Sequence, residues 1–236
     1  MRLTKEEFDS AKTIAGDVMI QINALLTNEI KFNGGFLEIV GMESDRQHKN
    51  AVRYGTIAKM PYRTPRVATD IYHCELEAEV GDTCWFDGHH AQTQIAARAE
   101  KTKTTPDIIF YVEDKMYISV PQSAVVAVKS GDEIKAVNGF VLGTLIEKPQ
   151  TTTLETGLIV KNKPDEYARV KVTSVSKNKP EFKESDKDVF RNVDIKVGEI
   201  AVMENFRPIY LDKTYAGTSE LVRFQSFVIL AVENEG

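Results

Sequence analysis

Cysteine, tryptophan and long apolar runs are all scarce in this chain. Cys74, Cys84 and Trp85 are the whole complement of those two residue types in 236 residues, too few cysteines for a disulfide framework. The longest apolar runs, Ala124 to Val128 and Phe227 to Val232, have the length of strands and fall far short of the ~20 residues that a membrane helix needs. An excess of positive charge is also missing. The 30 basic and 35 acidic side chains leave a net charge of −5, spread evenly over the two halves, with no basic footprint for nucleic acid. The opening residues Met1-Arg2-Leu3-Thr4-Lys5-Glu6-Glu7 lack the apolar core of a secretory signal and are too acidic for a transit peptide. The expectation is a cytoplasmic protein with free thiols and neither membrane nor nucleic acid as partner, in the host cytoplasm if a phage encodes it.

Catalytic motifs are missing too. There is no Gly-x-Ser-x-Gly elbow, no phosphate-cradling glycine loop, no His-Glu-x-x-His helix and no Gly-x-Gly-x-x-Gly after a strand. His73, Cys74, Cys84, His89 and His90 fall within eighteen residues, but their spacing fits no compact zinc finger, and Cys84 precedes Trp85-Phe86 in what reads as a core strand. Glu75, Glu77 and Glu79 alternate along one strand face and read as solvated carboxylates. The expectation is no metal, no cofactor and no enzymatic activity, a metal-dependent enzyme built on the His/Cys cluster being the distant alternative.

What the chain does have is 42% hydrophobic residues, enough to build substantial cores. Thr4 and Glu7 stand as a capping box, and Phe8, Ala11, Ile14 and Ala15 recur at helical spacing, so the pattern predicts a helix that Gly16 ends. Ala91 to Lys101 is a weaker helical candidate. The rest is short β-branched runs between Gly, Pro, Asn and Asp, such as Val18 to Ile22, Tyr117 to Val120 and Val170 to Val172, which read as an all-β body. Gly139 to Gly143 reads as a turn and strand, and Lys177 to Asp188 as a solvated hairpin or roof loop. Phe206 to Tyr210 puts aromatics near an exposed turn.

Three features recur in the same order in each half. Val18 to Ile22 leads through Thr27-Asn28-Glu29 to Gly34-Gly35-Phe36-Leu37-Glu38-Ile39-Val40, and Val141 to Ile146 leads through Thr151-Thr152-Thr153 to Gly157-Leu158-Ile159-Val160. Glu79-Val80-Gly81-Asp82 before Cys84-Trp85-Phe86 matches Lys196-Val197-Gly198-Glu199 before Ala201-Val202-Met203. The run Ser123 to Val128 matches Phe227 to Val232. Extra length in the first copy is placed near residues 91–106, and the boundary near Lys129 to Asp132.

In the order of these features each half resembles the chaperonin-10 (GroES-like) co-chaperonins. The second half carries the resemblance best, through Gly157-Leu158-Ile159-Val160, Val193 to Ile200 and Ile229-Leu230-Ala231-Val232. The resemblance implies an all-β chain of two tandem GroES-like small β-barrels. Residues 1–15 would then be the N-terminal helix, 16–130 the first barrel with its insertion, and 131–236 the second. It implies a homo-oligomeric ring that caps an ATP-loaded chaperonin and assists folding. The partner-binding residues would be Phe36, Leu37 and Ile39 in one loop and Leu158, Ile159 and Val160 in the other, on hinges at Gly34, Gly35 and Gly157, all facing GroEL-like apical domains. Such a tip on a polar segment docks weakly, since each contact opposes an ordering entropy, and several loops on one ring restore the affinity. Glu38 interrupts the first cluster and Phe36 is bulkier than the family's aliphatic residue, and two loops per chain do not divide evenly into seven seats. The alternative is a structural protein of a phage virion or assembly ring that uses the same barrels without binding a chaperonin.

Overall fold

The computed structural model describes residues 2–13, 16–22, 29–32, 35–38, 52–62, 76–88, 109–146, 151–153, 159–161, 167–179, 193–204, 209–211 and 220–233. The chain opens with β1 (Arg2–Leu3) and α1 (Lys5–Ser10). The first half continues with β2 (Asp17–Ile22), β3 (Glu29–Phe32), β4 (Gly35–Glu38), β5 (Val52–Lys59), β6 (Thr83–Asp87), β7 (Ile109–Val112), β8 (Lys115–Pro121) and β9 (Val125–Ser130). After it come β10 (Glu133–Ala136), β11 (Phe140–Leu145), β12 (Thr151–Thr153), β13 (Ile159–Lys161), β14 (Tyr167–Val175), β15 (Ile200–Glu204), β16 (Ile209–Tyr210), β17 (Leu221–Gln225) and β18 (Ala231–Glu233). The all-β reading holds among the described residues, with the short N-terminal helix that the sequence predicts.

The strands form two large sheets of one design. The first runs β1-β7-β8-β2-β5-β6-β9-β10 and the second β16-β17-β11-β14-β15-β18. With β1 and β10 removed from its ends, the first sheet has the strand order of the second. The registers agree as well. β2 slips against β5 between Met19 and Ile20, and β11 slips against β14 between Leu142 and Gly143. Residues of β2 therefore correspond to those of β11 at a separation of 123, β5 to β14 at 115, and β8 and β9 to β17 and β18 at 104.

Turn chemistry repeats at the same places. Ile57 exchanges backbone hydrogen bonds with Asp82 and Gly81 at 2.9 and 2.8 Å, and Val172 does so with Glu199 and Gly198, both at 2.9 Å. The carboxylates of Asp82 and Glu199 each accept from the backbone N–H three residues earlier, at 2.9 and 2.7 Å. Gly81 and Gly198 sit at φ of 100° and 93°, a region that a side chain would strain.

The first sheet has to curl. A flat sheet would set β8 and β9, four spacings apart, ~19 Å from each other, yet Pro121 and Val125 are joined by a single 3-10 turn, Gln122–Ala124, and four chain steps reach at most ~14 Å. Curling folds one face inward, where Val18, Ile20 and Ile22 of β2 meet Ile118 and Val120 of β8 and Val125 and Val128 of β9 in one buried cluster. Val141, Val170, Val172, Ala201 and Met203 are the counterpart in the second sheet. Among the described residues no closed barrel is found: β8 does not pair with β9, nor β17 with β18, and the 3-10 turns at Gln122–Ala124 and Ser226–Val228 take up the connections between them. The same turns correct the reading of Ser123 to Val128 and Phe227 to Val232 as uninterrupted strands.

The helix also ends sooner than its periodicity predicts. The capping box forms, with the Thr4 N–H donating to the Glu7 carboxylate at 2.8 Å and the Glu7 N–H donating to the Thr4 hydroxyl at 3.2 Å. Ala11 is already extended, because Lys59 of β5 donates to the carbonyls of Phe8 and Ala11, the latter at 2.8 Å. A cation at that end satisfies orphan carbonyls that a further turn would otherwise use. Phe8, the buried residue of α1, packs on Phe110 and Tyr117 at centroid distances of 6.0 and 4.7 Å.

Candidate partner-binding hairpins

The two halves are joined through a shared core. Trp85, Val126, Ala127 and Ala136 of the first sheet bury against Phe140, Leu142 and Leu211 of the second. This is why Cys84-Trp85-Phe86 is an unbroken apolar run: Cys84 and Phe86 face the first half's own interior while Trp85 faces the second half. An ion pair between Asp87 and Arg223 crosses the same junction, with the Arg223 guanidinium 5.4 Å from the Phe140 ring. Glu77, read from the sequence as solvated, is half-buried and reaches across as well. Its carboxylate accepts from the Ser176 hydroxyl at 3.0 Å and the Asn178 N–H at 2.8 Å. The Gly139 N–H in turn donates to the Ser176 hydroxyl oxygen at 3.0 Å.

Against this frame the candidate binding segments occupy one topological place in each half. β3 pairs with β4 as a separate two-stranded sheet between β2 and β5, and β12 pairs with β13 as another between β11 and β14. Phe36 and Leu37 lie in β4, opposite Lys31 and Ile30, and Gly35 opens that strand opposite Phe32. Ile159 and Val160 lie in β13, opposite Thr153 and Thr152. Gly34, Ile39, Gly157 and Leu158 lie outside the described residues. Where they are described, the segments expected as loops are paired strands.

The hairpin character of the first segment carried a sequence signal. The residues between the paired Phe32 and Gly35 are Asn33-Gly34, the dipeptide most favoured in two-residue hairpin connections. The second hairpin sets three threonines, strong strand formers, against Ile159-Val160-Lys161.

Burial pushes the Cys84 thiol well above its ordinary range, which keeps it protonated and unreactive. Among the described residues no group of three or more His, Cys, Asp or Glu is placed to hold a metal ion. His73, Cys74, His89 and His90 lie outside the described residues, as do Glu75, residues 91–106 and Phe206 to Pro208. Among the described residues no helix is long and apolar enough to cross a membrane. Compared with known proteins, the chain matches no protein-family model and no curated sequence.

Proposed function

We propose that the chain is a co-chaperonin-like protein of two tandem GroES-like units that forms a ring and caps an ATP-loaded chaperonin, assisting folding without catalysing a reaction of its own. The observation that supports this reading is the placement of the hairpins. Two sheets that share a six-strand order each have one separate two-stranded hairpin between equivalent strands in the chain, and these hairpins include Phe36 and Leu37 in one half and Ile159 and Val160 in the other, from the clusters that the resemblance assigns to partner binding.

Energetics favour such an arrangement for a lid that has to come off. A tip of two or three apolar residues gives a weak individual contact, and many arms on one ring act at high effective concentration. Small changes in each contact, as the chaperonin's apical domains move with its nucleotide state, are then multiplied across the ring. ATP hydrolysis belongs to the partner.

The test is capture of this chain by a chaperonin double ring in the presence of ATP or ADP, followed by sedimentation. Leu37→Asp and Ile159→Asp, each with an unchanged circular dichroism spectrum, are expected to lower capture by tenfold or more, about 1.4 kcal/mol or more summed over the ring. No complex at micromolar concentrations, together with the presence of the chain in purified virions, would move it to the class of phage structural proteins.

A further inference from the structure

The junction between the two halves is a template that the chain leaves open at one end and plugs at the other. At the junction, β9 pairs along its outer edge with β10, and Val126 and Ala127 are buried by the second half. The equivalent strand β18 pairs with β15 alone among the described residues. Val228 and Leu230, counterparts of Ala124 and Val126, are 40% and 59% exposed where those two are 0% exposed. Val126 and Ala127, which the second half covers, thus have exposed equivalents in Leu230 and Ala231, whereas Val202, the equivalent of Trp85, is itself buried.

The complementary face exists on the first half. Leu142, Leu211 and Leu221, which grip the first half from the second, correspond to Met19, Phe110 and Tyr117. Residues 11–13 correspond to 134–136 of β10 and sit in the same place on their own half. Ala136 donates its N–H to Ser174 of β14, and Thr13 donates its hydroxyl to the Met60 carbonyl just past the end of β5. Phe8 of α1 covers this face, packed with Phe110, Tyr117, Met19 and Leu3.

We propose that α1 is an intramolecular plug over the face that receives the Val228–Leu230 edge of a second copy of this chain, and that copies join head to tail only when the plug lifts. The plug is built to lift. Six residues are too few to hold a helix without docking, its anchoring burial is the single Phe8 side chain, its internal ties, Thr4 with Glu7 and Lys5 with Asp9, are exposed, and the side chain of Lys59 is what ties its last carbonyls to the sheet. A segment with so few buried contacts opens at a small fraction of the global unfolding free energy. The released face is apolar and matches an edge that is already exposed.

This inference rests on the ring-forming part of the proposed function and is independent of chaperonin binding. Its test is sedimentation velocity over a concentration series of the full chain with no chaperonin present. Phe8→Asp is expected to strengthen self-association at least ~tenfold, about 1.4 kcal/mol, and Leu230→Asp in the same chain to return it to the wild-type level. Lys59→Ala, which removes the tie to the helix carbonyls without touching Phe8, is expected to act in the same direction and serves if Phe8→Asp melts without cooperativity. A disulfide between Phe8→Cys and Tyr117→Cys in a Cys74→Ser background is expected to hold the chain monomeric until it is reduced. Folded Phe8→Asp and Lys59→Ala chains that associate no better than wild type overturn the plug, and association untouched by Leu230→Asp overturns the edge. If chaperonin capture fails while these results hold, the co-chaperonin reading falls alone; if capture succeeds and these fail, the plug falls alone.

Discussion

Ile20 of β2 fills the space that a side chain at Gly55 of β5 would need: a Cβ placed on Gly55 would lie 2.5 Å from the Ile20 Cγ2 atom. At the equivalent positions of the second half the sizes are exchanged. Gly143 stands where Ile20 does, Val170 stands where Gly55 does, and a Cβ on Gly143 would collide with the Val170 Cγ1 atom. One large and one absent side chain meet on each diagonal, in opposite order, so each half has its own solution to one packing requirement. Gly55→Ala and Gly143→Ala are each expected to destabilise by ~1–3 kcal/mol, the usual cost of overfilling a packed core. Each added Cβ would also lie 2.5 Å from a backbone carbonyl oxygen, that of Gln21 or of Lys171, so Ile20→Ala should relieve only part of Gly55→Ala and Val170→Ala only part of Gly143→Ala, with a coupling of ~1 kcal/mol in urea denaturation cycles. Additive effects within either pair would show that the two residues do not compete for one space.

Arg223 and Asp87 form an ion pair across the junction, with side chains only 14% and 9% exposed. Removing one partner of such a pair leaves a charge without its counterion in a low-dielectric setting, at a cost of ~3–5 kcal/mol. Arg223→Met alone and Asp87→Leu alone are therefore expected to lower stability strongly. The double variant is expected to recover most of the loss, because apolar residues of similar volume suit a site lined by Phe140. Because the pair couples the two sheets, each single variant should also split one unfolding transition in calorimetry into two. A single unchanged transition in both would mean that the ion pair does not hold the halves together.

Asn138 lies in the turn between β10 and β11 at φ 54°, buried, and its side-chain amide donates to the carbonyls of Gln122 and Val125, both at 2.8 Å. The residue thus does two separable jobs, and three substitutions part them. Asn138→Gly keeps the left-handed backbone and loses two hydrogen bonds, at ~1–3 kcal/mol. Asn138→Ala adds the strain of a Cβ in that region and should cost ~1 kcal/mol more. Asn138→Asp keeps the shape but presents a carboxylate to two carbonyl oxygens and should be the worst of the three. Urea midpoints ranking Asp as mild as Gly would contradict the donor role.

Much of this architecture is legible in the residues, and what is hidden has a physical cause. The capping box at Thr4 and Glu7 and the paired turns at Gly81 and Gly198 are local, fixed by neighbours in sequence, and so they can be read. The short length of α1 is not, because what stops it is Lys59, some fifty residues away. Ser123 to Val128 and Phe227 to Val232 look like strands throughout because each 3-10 turn, Gln122–Ala124 and Ser226–Val228, runs without glycine or proline into the apolar strand residues that follow it. β1 and β10 are edge strands, and nothing in Arg2-Leu3 or Glu133-Ile134-Lys135-Ala136 announces the partner that completes them. The hairpin at Phe36 carried its signal openly in Asn33-Gly34, whereas the cluster alone favours the reading of a loop.

Glu7 links the docking of α1 to pH. The backbone N–H and then the hydroxyl of Thr4 hold its carboxyl below the ordinary glutamate range, so the charged form is favoured in the folded helix. A group whose value is depressed on folding contributes stability that is complete above its unfolded value and is lost as pH falls through the folded one. The helix should therefore be most firmly docked at neutral pH and loosen in acid, while the sheets, whose cores are apolar, stay folded. Hydrogen exchange at the Phe8 amide, which donates to the Thr4 carbonyl at 3.0 Å, reads this directly. Its protection is expected to fall on acidification before that of Ile20 or Ile118, after correction for the intrinsic pH dependence of exchange. Glu7→Gln, which keeps an acceptor and has no charge to lose, should flatten the profile at a lower starting protection. A profile for Glu7→Gln as steep as that of the wild type would show that Glu7 does not carry the effect.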